Sequence, residues 1–122
     1  MKFFVCEHCG NVICFATDQG VPVVCCGVKM KELVPGTVEA SLEKHIPVVD
    51  AERGRVLVQV GEAEHPMLDE HWIEWIVLET GNGWQIRQLH PGDKPAAEFA
   101  LTPEDEIVAV YAYCNIHGLW RA

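Results

Sequence analysis

The chain has 122 residues, of which 49% are hydrophobic, so it is long enough to bury one ordinary core. Its formal net charge of −9 argues against a nucleic-acid partner and against an anionic membrane surface, because both attract clustered lysine and arginine. The sequence contains no transmembrane run, and residues 1–6 lack the pattern of a secretory signal. We therefore expect a cytoplasmic protein whose six cysteines stay reduced and serve as metal ligands sooner than as disulfides.

The first feature along the chain is a cluster of cysteines near the N-terminus. Cys6 and Cys9 form a C-x-x-C knuckle, and the glycine that follows it allows the backbone to turn its amides toward the sulfurs. Fifteen residues separate Cys9 from the adjacent pair Cys25 and Cys26. We predict that these four thiolates surround one metal ion. Tetrahedral sulfur suits zinc or iron, and the spacing alone leaves a purely structural zinc knuckle open.

The breaker Pro35-Gly36-Thr37 predicts a domain boundary, so residues 1–36 form a first domain. Chains below about 40 residues usually need a metal, disulfides or a partner to fold. The predicted metal is therefore structural as well as functional. Cys14 lies in an apolar run and is predicted to be a small buried hydrophobic residue, and His8 is predicted to be solvated or to lie outside the ligand shell.

Residues 37–122 form the second predicted domain, and their pattern is typical of short β-strands separated by turns. This succession predicts an all-β sandwich, and no long amphipathic helix is expected. The predicted strands are residues 55–60, 71–78, 84–89, 96–101 and 106–113.

Five further residues of metal-binding type lie at predicted strand ends or in loops of this domain, where a rigid scaffold can present them together. One histidine alone would more often have a surface or core role. A structural zinc site closes with four ligands, whereas five protein ligands of mixed nitrogen and sulfur suggest iron with one open position. His90 precedes a Pro-Gly turn and is predicted to be a surface residue. The five candidates are His45, His65, His71, Cys114 and His117.

The order of these motifs resembles the desulfoferrodoxin family, the two-iron class of superoxide reductase. The pattern runs C-x-x-C-G, C-C-G, E-K-H-x-P, H-P-M, H-W-I-E-W and C-N-x-H-G, and it covers essentially the whole chain. The resemblance implies a desulforedoxin-like N-terminal domain followed by an immunoglobulin-like β-sandwich, with two non-haem iron ions per chain. One iron would be bound by Cys6, Cys9, Cys25 and Cys26, and the other by His45, His65, His71 and His117 in a plane with Cys114 as the axial ligand.

The same resemblance implies that the chain reduces superoxide by one electron to hydrogen peroxide and so detoxifies reactive oxygen. Glu43 matches a glutamate that can occupy the open position in the oxidised enzyme, and Lys44 matches a lysine beside the substrate site. The family also implies a homodimer, built partly through the small domains, and an electron donor such as rubredoxin. Because the acidic chain should repel superoxide, we expect Lys44 to attract the anion and, through water, to orient or supply protons.

Three other functions remain open from the residues. A superoxide dismutase would need no external donor and would release oxygen. A pure electron-transfer protein would use only the cysteine site, which leaves the five-ligand set unexplained. A zinc-dependent interaction module is disfavoured for nucleic acid by the acidic charge but not for protein partners.

Overall fold

The computed structural model describes residues 1–122, and the chain divides into two compact units, Met1–Val34 and Pro35–Ala122. The fold is mainly β, as predicted, and its one helix has four residues. No helix is therefore long or apolar enough to span a membrane.

The N-terminal unit consists of short antiparallel strands. Its three-stranded sheet has the order β2-β1-β5, and β3 and β4 form a separate pair. Only Phe3, Cys6 and Met30 are buried in this unit, which leaves it with few apolar contacts of its own. The strands are β1 (Phe3–Val5), β2 (Val12–Cys14), β3 (Val24–Cys25), β4 (Val28–Lys29) and β5 (Lys31–Leu33).

The C-terminal unit is a β-sandwich of seven antiparallel strands, which confirms the predicted architecture. Its three-stranded sheet has the order β10-β7-β6, and its four-stranded sheet has the order β12-β11-β8-β9. The elements are α1 (Leu42–His45), β6 (Pro47–Glu52), β7 (Arg55–Val60), β8 (Ile73–Thr80), β9 (Gly83–Gln88), β10 (Ala96–Ala100), β11 (Ile107–Cys114) and β12 (Gly118–Arg121).

The core lies between the two sheets and follows from the alternation of side chains along each strand. On β7 the valines at 56, 58 and 60 are buried, whereas Arg55 before them and Gln59 are exposed. Phe99 on β10 joins them from the same sheet, and the four-stranded sheet contributes alternate residues of β8 and β11. Cys114 belongs to this core cluster and is fully buried at the last position of β11.

The structure corrects the sequence prediction in three regions. Strands β6 and β12 were not predicted, because β6 is an edge strand that opens with Pro47 and carries acidic residues, and β12 has only four residues. Strand β8 begins at Ile73, so the prediction that His71 opens the strand was wrong. His71 instead forms an isolated bridge with Leu68, where the two backbones exchange hydrogen bonds of 2.9 and 3.1 Å.

Candidate metal centres

Four cysteine sulfurs converge in the N-terminal unit. The Sγ atoms of Cys6, Cys9, Cys25 and Cys26 all lie within 4.8 Å of one another. Gly10 has φ of +84°, as expected for the turn after the knuckle, and the amide N–H of Cys9 donates to Cys6 Sγ at 3.4 Å. The predicted orientation of amides toward sulfur is therefore confirmed.

The thiols of this cluster cannot all ionise without a cation. The amide of Cys9 lowers the pKa of Cys6 to about 6, against the effect of burial. Hydrogen bonding with Cys9 and Cys6 raises the pKa of Cys26 to about 12, because the Cys26 thiol keeps its proton to share with the neighbouring sulfurs. A metal ion that replaces these protons would satisfy all four sulfurs at once. The donor set fits a tetrahedral thiolate site for iron or zinc.

The neighbouring groups lie outside this set. Asn11, which the sequence did not single out, directs its Nδ2 to Cys25 Sγ at 3.8 Å. Cys14 is partly rather than fully buried on β2, and burial raises the pKa of its thiol. His8 is exposed, as predicted.

His90, in the C-terminal unit, is also exposed, as predicted, and its Nδ1 lies 3.6 Å from the Asp93 carboxylate in its turn.

The second centre lies at one end of the sandwich, where five chain segments bring their side chains together. His45 is the last residue of α1, which corrects the expectation that every candidate lies on a loop or strand end. His65 follows β7, and His71 precedes β8. Cys114 ends β11, and His117 lies in the turn before β12, so β11 is not the last strand as expected. The His45, His65 and Cys114 side chains are each 2% exposed or less.

The four imidazole rings form a closed square. Each pair of neighbours meets nearly edge to face, at 79–82° between planes and 4.6–5.0 Å between centroids. The order around the square is His45, His65, His71 and His117. His45 and His71 are opposite corners, 6.2 Å apart and only 28° from parallel. This arrangement fits four ligands around a single ion.

The nitrogen distances agree with a shared ion. His45 Nε2 lies 3.1 Å from His65 Nε2 and 3.1 Å from His117 Nδ1. Two nitrogens bound at a right angle to one ion, each at about 2.1 Å, would be about 3.0 Å apart. Cys114 Sγ lies 3.9 Å from His117 Nδ1 and within 4.8 Å of the ligand atoms of the other three histidines. The sulfur is therefore close to all four nitrogens.

Backbone carbonyls determine which nitrogen faces the centre. His45 Nδ1 lies 2.7 Å from the carbonyl oxygen of Ser41, and His65 Nδ1 lies 2.7 Å from that of Pro66. Because a carbonyl only accepts, each Nδ1 carries the proton and each Nε2 presents a lone pair. The Nε2 lone pairs of His45 and His65 thus face each other, an arrangement that a cation between them would stabilise.

Burial keeps these rings neutral and available to a metal. It is the main cause that lowers the pKa of His45 and of His71, and it lowers the pKa of His65 to about 4. His71 Nε2 is buried without a hydrogen-bond partner. A buried polar atom without a partner is costly, and a bound metal would satisfy it. The residues of this centre therefore fit a cation with nitrogen and sulfur ligands.

The turn after Cys114 acts on its sulfur. Burial raises the pKa of Cys114, and the amide N–H groups of Ile116 and His117 lower it by donating to the sulfur. Such hydrogen bonds withdraw electron density from a bound thiolate and tune the metal.

Glu43 and Lys44 lie on α1 immediately before His45, and both are exposed. The pKa of His71 is lowered first by burial and then by the charge of His117; the charge of Glu70 raises it, and that of Lys44 lowers it by a smaller amount. Glu43 lines a groove with Leu42, Ile46, Pro47, Val48 and Glu62, none of which is a candidate ligand.

Gly61 and Asn115 are two structural residues that the sequence reasoning missed. A Cβ on Gly61 would lie 2.8 Å from the Cα of Lys44 and would also overlap the Glu43 carbonyl, so the loop after β7 packs directly on α1. The Ala63 amide donates to the same carbonyl at 2.9 Å. In the sequence, Gly61 only follows a predicted strand, and Asn115 is only a letter of the C-N-x-H-G motif.

The model of the desulfoferrodoxin family matches residues 37–122. The chain belongs to the desulfoferrodoxin family. It is 41% identical to a desulfoferrodoxin of Nitratidesulfovibrio vulgaris over 121 residues, which are 99% of this chain and 94% of that protein. Its fold is similar to the crystal structure of the superoxide reductase from Treponema pallidum, with a TM-score of 0.84, 36% identity and coverage of 99% and 97% of the two chains.

A further relative matches part of the chain. The superoxide reductase of Pyrococcus furiosus is 35% identical over 105 residues, which span 65% of this chain and 85% of that protein. The cysteine group and the histidine–cysteine group together fit the two-iron class of the family. These relatives support an oxidoreductase that carries two iron ions per chain.

Proposed function

We propose that this desulfoferrodoxin-family protein is a superoxide reductase. One superoxide, one electron and two protons would give one hydrogen peroxide. The observation that carries the proposal is the square of four imidazoles with one thiolate, because five ligands leave one position of a six-coordinate ion for a small substrate. A pure electron-transfer protein has no need of such an open position.

The residues that would hold the metals are the nine cysteines and histidines described above. Iron bound at the histidine–cysteine centre would supply a one-electron change between the ferrous and ferric states. The neutral rings of His45 and His65 keep their lone pairs directed inward. The amides of Ile116 and His117 moderate the electron donation of Cys114. These residues would thus set the ligand field of the bound iron, and the substrate would enter at the position that the five ligands leave open.

Lys44 and Glu43 complete the proposed catalytic site. Lys44 would attract superoxide and, through water, orient or supply the protons that peroxide formation requires. Glu43 would occupy the open position when the substrate is absent and the centre is oxidised. Its side chain lines a neighbouring groove in this structure, so this role requires the side chain to swing inward.

The proposal is tested by product yields after a pulse of superoxide. We expect one hydrogen peroxide per superoxide consumed by the reduced iron-loaded chain, without oxygen. A superoxide dismutase would release oxygen and peroxide in equal amounts, and that result would refute the proposal. The His65→Ala variant, loaded in the same way, is the control for reaction outside the centre.

The electron donor and the assembly follow from the family alone. We propose a small carrier such as rubredoxin as the donor, a homodimer as the assembly and the cytoplasm as the location. Reduced rubredoxin mixed with the oxidised chain tests the donor, and sedimentation tests the dimer.

A further inference from the structure

Asn115 connects two ligand-bearing segments that are far apart in the sequence. Its side-chain Oδ1 accepts from the amide of Trp72 at 2.9 Å, and its Nδ2 donates to the carbonyl of Glu70 at 3.0 Å. Its own amide donates to the carbonyl of Trp72 at 3.2 Å. The three hydrogen bonds therefore attach to the residues on either side of His71.

His71 differs from the two most buried histidines in how its ring is held. The rings of His45 and His65 are each oriented by a hydrogen bond from Nδ1 to a backbone carbonyl. The ring of His71 makes no hydrogen bond, and its Nε2 is buried without a partner. The direction of this ring consequently depends on the backbone that carries it, since its ring nitrogens are not anchored.

That backbone has little other support. His71 precedes β8, and its own amide and carbonyl pair only with Leu68 in an isolated bridge. From Ile73 onward the chain is paired with Cys114 in the β8–β11 ladder. The hydrogen bonds of Asn115 extend this attachment to the residues on either side of His71, and Asn115 stands directly after Cys114 and two residues before His117. Its side chain thus links the His71 segment to the turn that bears the thiolate.

We infer that Asn115 is a positioning residue for the histidine–cysteine centre, which acts by holding His71 in its place among the other three imidazoles. The inference rests on one part of the proposed function, namely that this centre binds iron. Groups that orient a ligand typically contribute 10- to 100-fold to metal affinity, and we expect about that loss when the Asn115 side chain is removed.

The test is a double-mutant cycle on ferrous iron affinity in the full-length chain. Anaerobic competition with a chelator is followed at the thiolate-to-iron absorption band that a Cys114→Ser variant lacks. In the otherwise unchanged chain, Asn115→Ala should weaken iron binding by about 10- to 100-fold. In a His71→Ala background the same substitution should change the affinity less than about twofold, because non-additivity marks residues that act together.

Controls separate positioning from a general loss of structure. Asn82→Ala changes an exposed asparagine in the turn between β8 and β9 and should leave the affinity unchanged. The absorption of the four-cysteine site reports whether the variant chains are folded and loaded. Amide exchange of Trp72 should accelerate in metal-free Asn115→Ala, since its acceptor is lost.

Two results would overturn the inference. One is an unchanged iron affinity in Asn115→Ala, and the other is an equal loss with and without the His71 imidazole. Neither outcome depends on superoxide chemistry. A wild-type chain that binds iron but forms no peroxide would contradict the proposed function and leave this inference standing.

Discussion

At the scale of single residues, Lys44 opposes the charge of the whole chain. The formal net charge is −9, so the distant field repels an anion such as superoxide. After burial and His117, which lower the pKa of His71, and Glu70, which raises it, the Lys44 charge is a smaller further cause that lowers it. A charge that disfavours protonation of an imidazole in the centre also favours an anion there. We therefore propose Lys44 as the local attraction on which fast association would depend.

Replacing Lys44 tests this role. We expect Lys44→Ala to slow the second-order reaction with superoxide by about tenfold at low ionic strength, because electrostatic steering commonly contributes 10- to 1,000-fold. The decrease of the rate with added salt should also become weaker. Pulse radiolysis at several salt concentrations measures both effects. Lys94→Ala is the matched control, since Lys94 lines a groove on the three-stranded sheet. A wild-type rate in Lys44→Ala would contradict the steering role.

The residue types of both metal sites could be predicted, but their detailed geometry could not. Clustered cysteines and spaced histidines indicate metal sites, and the order of the motifs assigned each of these residues to one of the two sites. The choice of Nε2 in His45 and His65 depends on the carbonyls of Ser41 and Pro66, which no motif specifies. Asn115 was visible only as a motif letter, because its two partners across the sandwich, Trp72 and Glu70, lie 43 and 45 residues away in the chain.

At the scale of elements, α1 and the loop after β7 form one support for two histidines. Gly61 lets the loop approach the backbone of Glu43 and Lys44, and the Ala63 amide bonds the Glu43 carbonyl at 2.9 Å. His45 ends α1, and His65 ends the loop. The positions of these two imidazoles are therefore set by one packing contact.

A methyl group at Gly61 should disrupt that contact. Overpacking a tight site typically costs about 1–3 kcal/mol, so we expect Gly61→Ala to lower the unfolding free energy of the sandwich by that amount and to weaken iron binding. Denaturant titration and the chelator competition measure the two effects. Gly81→Ala is a matched control, because a Cβ there lies 3.5 Å from Asp105 Oδ1, an ordinary contact. Equal stability of both variants would show that α1 moves without cost.

The elements themselves were predictable where the pattern was strong. β7 and β10 lie within one residue of their predicted bounds, because alternation and flanking turns define them. β6 was missed because its exposed edge carries Asp50 and Glu52, which dilute the alternation. α1 was missed because four residues are too few for a helical period to appear.

At the scale of the whole molecule, the two units differ in how they are stabilised. The N-terminal unit has 34 residues with three buried side chains, one of which is the ligand-type residue Cys6. The sandwich has a continuous core from both sheets. A chain below about 40 residues seldom folds without a metal, disulfides or a partner, whereas a sandwich of this size does.

Removing the metals should therefore affect the two units differently. In the metal-free chain we expect the amides of β1, β2 and β5 to exchange rapidly, while those of β8 and β11 remain protected. Hydrogen exchange with mass spectrometry resolves these segments. Reloading with iron under reducing conditions should restore protection in β1. Retained protection of β1 without metal would show that apolar contacts suffice for the small unit.

The placement of the five donors has a mechanical consequence. His45 and His65 flank the three-stranded sheet, immediately before β6 and shortly after β7, whereas His71, Cys114 and His117 belong to segments of the four-stranded sheet. An ion held by all five would cross-link the two sheets at one end, much as a disulfide joins the sheets of other sandwiches. The sheets could then separate only by breaking metal–ligand bonds, so the rate of iron loss would report how often the sandwich opens.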